Sequence, residues 1–310
     1  MIGRSLTAER SSASHLLGIE GLEREYVEEI LSRAREYRQA LKAGTVENRL
    51  AGKLVANLFF EDSTRTRSSF EIAAKLLGAE VLNWSPTGSS LSKGETLLDT
   101  VRNIEAIGPC AVVIRHRASG APHLVARHLR CSVINAGDGI HEHPSQALLD
   151  AFTLQDRLGS LEGRAILIIG DILHSRVARS NIHCLRLLGA QVLVSGPPTL
   201  IPSGIDALGC RVVLDFRSVL RQIDAVMALR VQHERQALSF LPSQREYAAL
   251  WGLDATAVGQ MKPGALVLHP GPVNRGVELS GEVLDGPRSV VLEQVSNGLA
   301  VRMAILERAA

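Results

Sequence analysis

Residues Lys53–Gly78, KLVANLFFEDSTRTRSSFEIAAKLLG, contain the structural unit that recurs through the rest of the chain. The apolar run KLVANLFF does not alternate with polar residues, which is typical of a strand buried on both faces. The segment that follows places Phe70, Ala74 and Leu77 on one helical face and ends at Gly78. A buried strand followed by an amphipathic helix is the building unit of a parallel α/β sheet.

Further strand–helix pairs follow this unit in two successive sets, separated by a predicted helix from Pro144 to Gly159. Two such sets predict an α/β fold with two doubly wound, Rossmann-like parallel-sheet domains, joined by that helix as a bridge. A last periodic segment, from Leu292 to Leu306, predicts a helix that returns to the first domain. We therefore expect the first domain to span residues 1–143 together with 292–310, and the second to span 144–291.

The overall composition excludes several classes of protein. The chain has 310 residues, 45% of them hydrophobic, and a net charge of +2, so no basic excess points to nucleic acid or an anionic membrane. The N-terminus lacks the apolar core of a signal peptide, and no apolar segment approaches the ~20 residues of a membrane span. Four cysteines without a C-x-x-C pair indicate free thiols. We expect a soluble, cytoplasmic protein.

Polar and basic residues are concentrated directly after six of the predicted strands. Ligands of parallel α/β sheets bind at the carboxyl ends of the strands, so these segments are the candidate site. They are EDSTRTR (61–67), HRASG (116–120), DGIHEHPSQ (138–146), DILHSR (171–176), RVQHER (230–235) and PGPVNRG (270–276).

The first of these segments has the features of an anion site. Ser63 stands where a helix N-cap is expected, and Thr64, Arg65 and Thr66 would fill the first turn. The N–H groups of a first turn have no helical partner, and the helix dipole is positive there. An arginine at that end is unfavourable unless an anion binds it. Phosphate is the ligand that these groups fit best.

The same stretch, with HPSQALLD (143–150) and HPGP (269–272) in the same order downstream, resembles the aspartate/ornithine carbamoyltransferase family. The resemblance covers nearly the whole chain. It implies that Ser63, Thr64, Arg65 and Thr66 bind carbamoyl phosphate. The same likeness assigns further contacts with that substrate to Arg115, His143, Gln146, Gly271 and Pro272.

These further residues have different implied roles. Arg115 would contact both the phosphate and the carbamoyl oxygen, and His143 would hydrogen-bond the carbamoyl carbonyl. Gln146 would hold the carbamoyl amide, and backbone carbonyls around Gly271 and Pro272 would accept from it. Of these contacts, the one at Gly271 is the looser inference, because some members have leucine there.

Other matches separate the two branches of the family. The loop SSLSKGE carries Lys93, which matches a lysine that the aspartate branch inserts into the active site of a neighbouring subunit. The serine that accompanies it is Ser89 or Ser90, and the spacing favours Ser89. Active sites would then lie between the subunits of a homotrimer. The branch that acts on ornithine lacks this loop and has His-Cys-Leu-Pro in place of HPGP.

The acceptor is inferred from arginines in the second half of the chain. Arg176 matches the arginine for the α-carboxylate of aspartate, and Arg230 with Gln232 matches the pair for its side-chain carboxylate. The planar fork of arginine suits a carboxylate, whereas ornithine would need an acidic partner. Glu61 is expected to pair with Arg176 or a neighbouring arginine in the closed form.

The resemblance thus implies transfer of a carbamoyl group to L-aspartate, giving N-carbamoyl-L-aspartate and phosphate, the committed step of pyrimidine synthesis. The aspartate amine would attack directly, without a cofactor. His141 and His143 form H-x-H without an evident third ligand, so no metal is expected. The residues expected to act on the reacting groups are Arg65, Thr66, Lys93, Arg115 and His143.

Three alternatives stay open at this stage. The chain could be a carbamoyltransferase for another amine, a non-catalytic assembly subunit of a pyrimidine-pathway complex, or a protein that binds a phosphorylated metabolite without turnover. Some relatives bind a regulatory chain and others bind dihydroorotase. The sequence shows no motif for either partner, nor for control by nucleotides.

Overall fold

Two separate parallel sheets organise the chain, of which the computed structural model describes residues 14–86, 95–231 and 243–310. The first sheet has the strand order β2-β1-β3-β4 and the second the order β7-β6-β5-β8-β9. Every pairing between these strands is parallel, which confirms the predicted fold class. The strands are β1 (Leu54–Phe59), β2 (Glu80–Trp84), β3 (Ala111–His116), β4 (Ser132–Asp138), β5 (Ala165–Ile169), β6 (Gln191–Ser195), β7 (Arg211–Val212), β8 (Ala225–Ala228) and β9 (Leu266–Leu268).

Helices cover the sheets and join them. They are α1 (Arg24–Ala43), α2 (Thr64–Leu76), α3 (Leu97–Glu105), α4 (Ala121–Ala126), α5 (Pro144–Leu158), α6 (Arg176–Leu187), α7 (Gln244–Trp251), α8 (Ala255–Gly259), α9 (Gly281–Leu284) and α10 (Val291–Ala309). Short 3₁₀ turns lie at Pro198–Leu200, Ile205–Leu208 and Phe216–Gln222. Among the helices in the described ranges, each is too short or too polar to cross a lipid bilayer.

The core explains why these segments form these elements. Val55, Ala56 and Leu58 of β1 are fully buried, as expected for a strand covered on both faces. Helix α5 is buried over most of its surface because it packs against α1, α6 and α10. Helix α10 also packs against α1 and α2, so the chain returns to the first sheet as predicted. The residue boundaries of the two domains stay a prediction.

Candidate active site

A cavity of about 680 Å³ lies where the carboxyl ends of strands from both sheets meet. The predicted site residues within the described part of the chain all line it: Ser63, Thr64, Arg65, Thr66, Arg115, His143, Gln146, Arg176, Arg230, Gly271 and Pro272. Ser89, Ser90, Lys93 and Gln232 lie outside the described residues. A second cavity, of about 810 Å³, lies near the amino ends of β3 and β4, and none of the predicted residues lines it.

The start of α2 presents unused hydrogen-bond donors to the cavity. Ser63 is the N-cap residue, as predicted, with φ −163° and ψ 93°, but its side chain makes no capping hydrogen bond. The first turn holds no acidic residue that could balance the helix dipole. Because first-turn N–H groups lack helical acceptors, this helix start is suited to receive an anion.

Arg65 adds positive charge beside these donors. Partial burial lowers the pKa of Arg65, and the positive charge of Arg230 lowers it further. Within the described residues Arg65 forms no ion pair, so its charge is available to a ligand. Gly271 lets the loop after β9 approach this guanidinium: it has φ +66°, and a Cβ there would lie 3.2 Å from Nη1 of Arg65.

Arg115 and Arg176 are already engaged by one carboxylate. Glu61 Oε1 lies 2.7 Å from Nη2 of Arg115 and 2.7 Å from Nη2 of Arg176. Nη1 of Arg176 also donates to Glu61 Oε2 at 3.1 Å. The predicted pairing of Glu61 is therefore present with both arginines. Gly137 leaves room for them, because a Cβ there would lie 2.9 Å from Nε of Arg176 and 3.2 Å from Nη1 of Arg115.

The start of α5 is held rigidly beneath the cavity. His143 is its N-cap residue and is 4% exposed. The backbone N–H of His143 donates to Ser180 Oγ at 2.8 Å, and Ser180 in turn donates to Glu142 Oε2 at 2.6 Å. This anchoring fixes the direction from which the imidazole faces the cavity. Gln146, one turn further, donates from Nε2 to the buried Asp150 at 2.9 Å.

The loop after β9 is organised by a neutral histidine. Burial, with the positive charges of Arg65 and Arg230, lowers the pKa of His269 to about 3. The N–H of Gly271 donates to His269 Nδ1 at 2.8 Å, and the N–H of His269 donates to Gln294 Oε1 at 2.9 Å. The loop that carries the HPGP motif is therefore fixed from both sides.

The sequence analysis missed several residues that build the site. Arg302 of α10 lines the cavity, is 5% exposed and donates to Ser69 Oγ of α2 at 3.0 Å. Burial lowers the pKa of Arg302 to about 10. Gln294 lies on the same helix and Asp150 on α5, both fully or nearly buried. A signal for them existed: each is a polar residue on the apolar face of a predicted helix.

Two groups of side chains next to the site have the composition of metal ligands. The ligand atoms of His123, Asp138 and His141 lie within 4.8 Å of one another, and those of Glu20, His141 and Glu142 do as well. The sequence showed no third ligand for the H-x-H pair of His141 and His143; in the structure His141 has acidic and imidazole neighbours of this kind, but His143 is in neither group. Asp138 already accepts from Asn135, from His141 and from the N–H of Gly120. These contacts occupy its oxygens and account for the cluster as a structural support of the β4–α5 loop.

The site as a whole can bind two anionic groups side by side. One position is the open start of α2 with Arg65. The second is the surface of Arg176 and Arg230, where Glu61 supplies a carboxylate from within the chain. Donors fixed in advance in such a cavity stabilise negative charge that develops during a reaction.

Comparisons with known proteins match this arrangement. The carbamoyl-P binding domain of the aspartate/ornithine carbamoyltransferases matches residues 14–156, and the Asp/Orn binding domain matches residues 162–309. The aspartate carbamoyltransferase catalytic subunit of Myxococcus xanthus is 66% identical over 94% of this chain and 98% of its own length. The corresponding subunit of Anaeromyxobacter sp. is 55% identical over 94% of both chains.

Solved structures of both branches have this fold. Aspartate transcarbamoylase from Trypanosoma cruzi, in complex with N-(phosphonacetyl)-L-aspartic acid, superposes with a TM-score of 0.86 at 32% identity, over 95% of each chain. Ornithine carbamoyltransferase from Pyrococcus furiosus gives 0.85 at 27% identity, over 94% of this chain and 95% of that one. The fold alone therefore does not separate the two acceptors, whereas the sequence relatives favour aspartate.

Proposed function

The chain belongs to the aspartate/ornithine carbamoyltransferase family, and on that premise we propose that it is an aspartate carbamoyltransferase. It transfers the carbamoyl group of carbamoyl phosphate to L-aspartate, giving N-carbamoyl-L-aspartate and phosphate for pyrimidine synthesis. The observation that carries this proposal is a single cavity lined by arginines, with one helix start open to an anion. An acceptor with two carboxylates fits such a cavity better than one with a second ammonium group.

Carbamoyl phosphate binds with its phosphate at the start of α2, where the first-turn N–H groups and Arg65 receive it. Thr66, Arg115 and His143 stabilise the oxyanion that forms on the carbamoyl carbonyl. The neutral amine of aspartate attacks the carbamoyl carbon, the carbon–nitrogen bond forms and the carbon–oxygen bond to phosphate breaks. The departing phosphate takes the proton from the amine, so the reaction needs no base from the protein.

Aspartate binds in the second half of the cavity. Arg176 receives its α-carboxylate, and Arg230 with Gln232 receives its side-chain carboxylate. Since Glu61 occupies Arg176 in the structure described here, an arriving carboxylate shares or replaces that contact. Holding both substrates in reactive geometry supplies up to about 7–11 kcal/mol of the barrier reduction.

We also propose that the working enzyme is a homotrimer without a cofactor, located in the reducing cytoplasm. The match of Ser89 and Lys93 to residues that enter a neighbouring active site supports shared sites. The four cysteines, all free thiols, fit a reducing compartment. Light scattering tests the trimer, and a monomeric active protein would refute it.

The test of the proposed function is product formation from carbamoyl phosphate, with L-aspartate and L-ornithine in parallel. Wild type is expected to turn over with aspartate only. Arg65→Ala removes a charged donor to the leaving phosphate and is expected to lower kcat about 10²–10³-fold.

Arg67→Ala is the matched control, because Arg67 lies two residues after Arg65 in the same helix, α2, and does not line the cavity. It is expected to keep nearly all turnover. Turnover with ornithine would refute the assignment of the acceptor. Equal losses in Arg65→Ala and Arg67→Ala would refute the role of the α2 start.

A further inference from the structure

Asp150 is a fully buried carboxylate at which three side-chain amides meet. Its Oδ1 accepts from Gln146 Nε2 at 2.9 Å and from Gln294 Nε2 at 2.7 Å. Its Oδ2 accepts from Asn181 Nδ2 at 2.9 Å. The partners come from α5, α10 and α6, so one carboxylate joins three helices behind the cavity.

The chemistry of Asp150 decides which way the two glutamines point. An ionised carboxylate only accepts hydrogen bonds, so each amide must direct its nitrogen toward it. Gln146 lines the cavity and Asp150 does not, so turning the nitrogen toward Asp150 leaves the carbonyl oxygen as the acceptor available to a ligand. That oxygen has no hydrogen-bond partner among the residues that the structure describes. Gln146 therefore presents an acceptor.

The second glutamine transmits the same constraint to the loop after β9. Because Nε2 of Gln294 is committed to Asp150, its Oε1 faces the N–H of His269 and accepts from it at 2.9 Å. This contact fixes the start of the loop whose Pro270, Gly271 and Pro272 line the cavity. The backbone carbonyls of such a loop are again acceptors.

We propose that Asp150 is a positioning residue that makes the cavity selective for the –NH₂ of the carbamoyl group. It orients Gln146 directly and orients the loop after β9 through Gln294. Hydrogen-bond acceptors of the protein then face the position at which the ligand must carry a donor. A methyl group in place of –NH₂ leaves these acceptors unpaired, which is costly in a buried site. The inference rests on the proposed function and names the residue that sets its substrate selectivity.

The surroundings of Asp150 are compatible with this role. Arg302 lies close enough for its positive charge to favour the ionised carboxylate, and its own hydrogen bond goes to Ser69. Cys184 is fully buried nearby, and burial raises the pKa of its thiol, so it stays neutral. Burial still raises the pKa of Asp150 to about 6, because the three amide donors and Arg302 offset only part of the cost of burying the charge; the carboxylate is therefore ionised at neutral pH and above.

The experiment measures binding of three ligands: carbamoyl phosphate, acetyl phosphate, in which a methyl group replaces –NH₂, and inorganic phosphate. Wild type is expected to bind carbamoyl phosphate more tightly than acetyl phosphate. Asp150→Leu removes the common acceptor at similar volume and is expected to weaken carbamoyl phosphate about tenfold. Acetyl phosphate and inorganic phosphate should change by less than about twofold. Equal weakening of all three ligands would overturn the inference.

Asn181→Leu is the matched control, because it removes the third donor to Asp150 and leaves both glutamines bound. Asn181→Leu should leave the ratio of the dissociation constants of acetyl phosphate and carbamoyl phosphate unchanged. A fall in this ratio equal to that in Asp150→Leu would overturn the inference. If Asp150→Leu does not fold, Gln294→Met loosens the loop alone and is expected to reduce the ratio about threefold. An unchanged ratio in that variant would overturn the inference. A wild type that binds none of the ligands would instead refute the proposed function.

Discussion

Helices α2 and α6 both begin at the cavity with a serine N-cap and an arginine. They differ in whether the chain itself supplies partners to that serine and that arginine. At the start of α6, Ser175 Oγ accepts from the N–H of Ala178 at 3.0 Å, and the arginine that follows is paired with Glu61. At the start of α2, Ser63 makes no capping hydrogen bond, and Arg65 forms no ion pair within the described residues; neither helix has an acidic residue in its first turn. One start is satisfied within the chain and the other is left open.

The difference shows that a serine followed by arginine does not by itself make an anion site. What matters is whether the serine is used as a cap and whether the chain supplies an anion to the arginine. By that criterion, α2 is the helix start at which we propose that the phosphate binds. The start of α6 is already supplied with an internal carboxylate, that of Glu61.

The largest expected effect comes from removing that internal anion. Glu61→Gln leaves Arg176, whose side chain is 4% exposed, without a carboxylate in the ligand-free protein. Loss of one partner of a fully buried pair lowers the unfolding free energy by about 3–5 kcal/mol. Since Glu61 is itself 23% exposed, we expect a smaller loss, about 2–3 kcal/mol. Urea denaturation measures it, and phosphate with succinate should recover part of the loss.

Glu71→Gln is the control for this variant. Glu71 pairs with Lys75 at 2.7 Å on the surface of α2, where the lysine side chain is 60% exposed. The unfolding free energy of Glu71→Gln should lie within about 0.5 kcal/mol of that of wild type. If Glu61→Gln is no more destabilising than this control, α6 does not depend on an internal anion, and the contrast with α2 fails.

The cost of burying the charge of Asp150, next to α6, can be measured from the pH dependence of the unfolding free energy. Burial raises the pKa of Asp150 to about 6, from 3.8, so its contribution to stability is fully present below 3.8 and is lost as pH rises through about 6. Asp150→Asn lacks this dependence. Between pH 4.5 and 7.5 we expect wild type to lose about 2 kcal/mol of unfolding free energy relative to the variant.

Neighbouring groups do not obscure this measurement. Arg302, with a pKa of about 10, stays charged through the range, and the thiol of Cys184 stays neutral. A constant difference between wild type and Asp150→Asn at all pH values would show that the carboxyl group is already ionised at the lower pH. The amide donors would then outweigh burial.

The smallest expected effect compares the two serines directly. Ser175→Ala removes a helix cap and should lower the unfolding free energy by about 1 kcal/mol. Ser63→Ala removes a hydroxyl that caps nothing and should leave stability within a few tenths of that of wild type. Its effect should instead be weaker binding of inorganic phosphate, which titration calorimetry measures. Equal destabilisation by both changes would remove the distinction between the two helix starts.

Most of the fold was predictable because most of its strands are apolar runs without alternation, and β1, β3, β4 and β5 are each followed by an α-helix. The apolar segment RVVL (211–214) predicts a four-residue strand, whereas β7 comprises Arg211–Val212 only. The start of α2 was predictable from its local density of hydroxyls and arginines. Each of these two patterns is contained in a short stretch of neighbouring residues, which is why a single sequence reveals it.

The rest of the site depends on contacts between distant segments. Glu61 meets Arg176 across 115 positions of the chain, and Asp150 meets Gln294 across 144. No local pattern states which strand ends and helix faces will meet, nor that one carboxylate will serve two arginines. Polar residues on the apolar faces of α5 and α10 indicated buried contacts, but their partners became evident only from the packing.

Helix α10 has a consequence for the order in which the enzyme is made. It supplies Gln294 and Arg302 to the cavity and packs beside α1, α2 and α5, yet it is synthesised after both sheets. Nascent chains grow at roughly 5–20 residues per second, so the first sheet emerges many seconds before the helix that completes it. During that interval a growing chain displays the arginine-rich strand ends without their final support. Catalytic competence is therefore acquired late, once the last helix has docked.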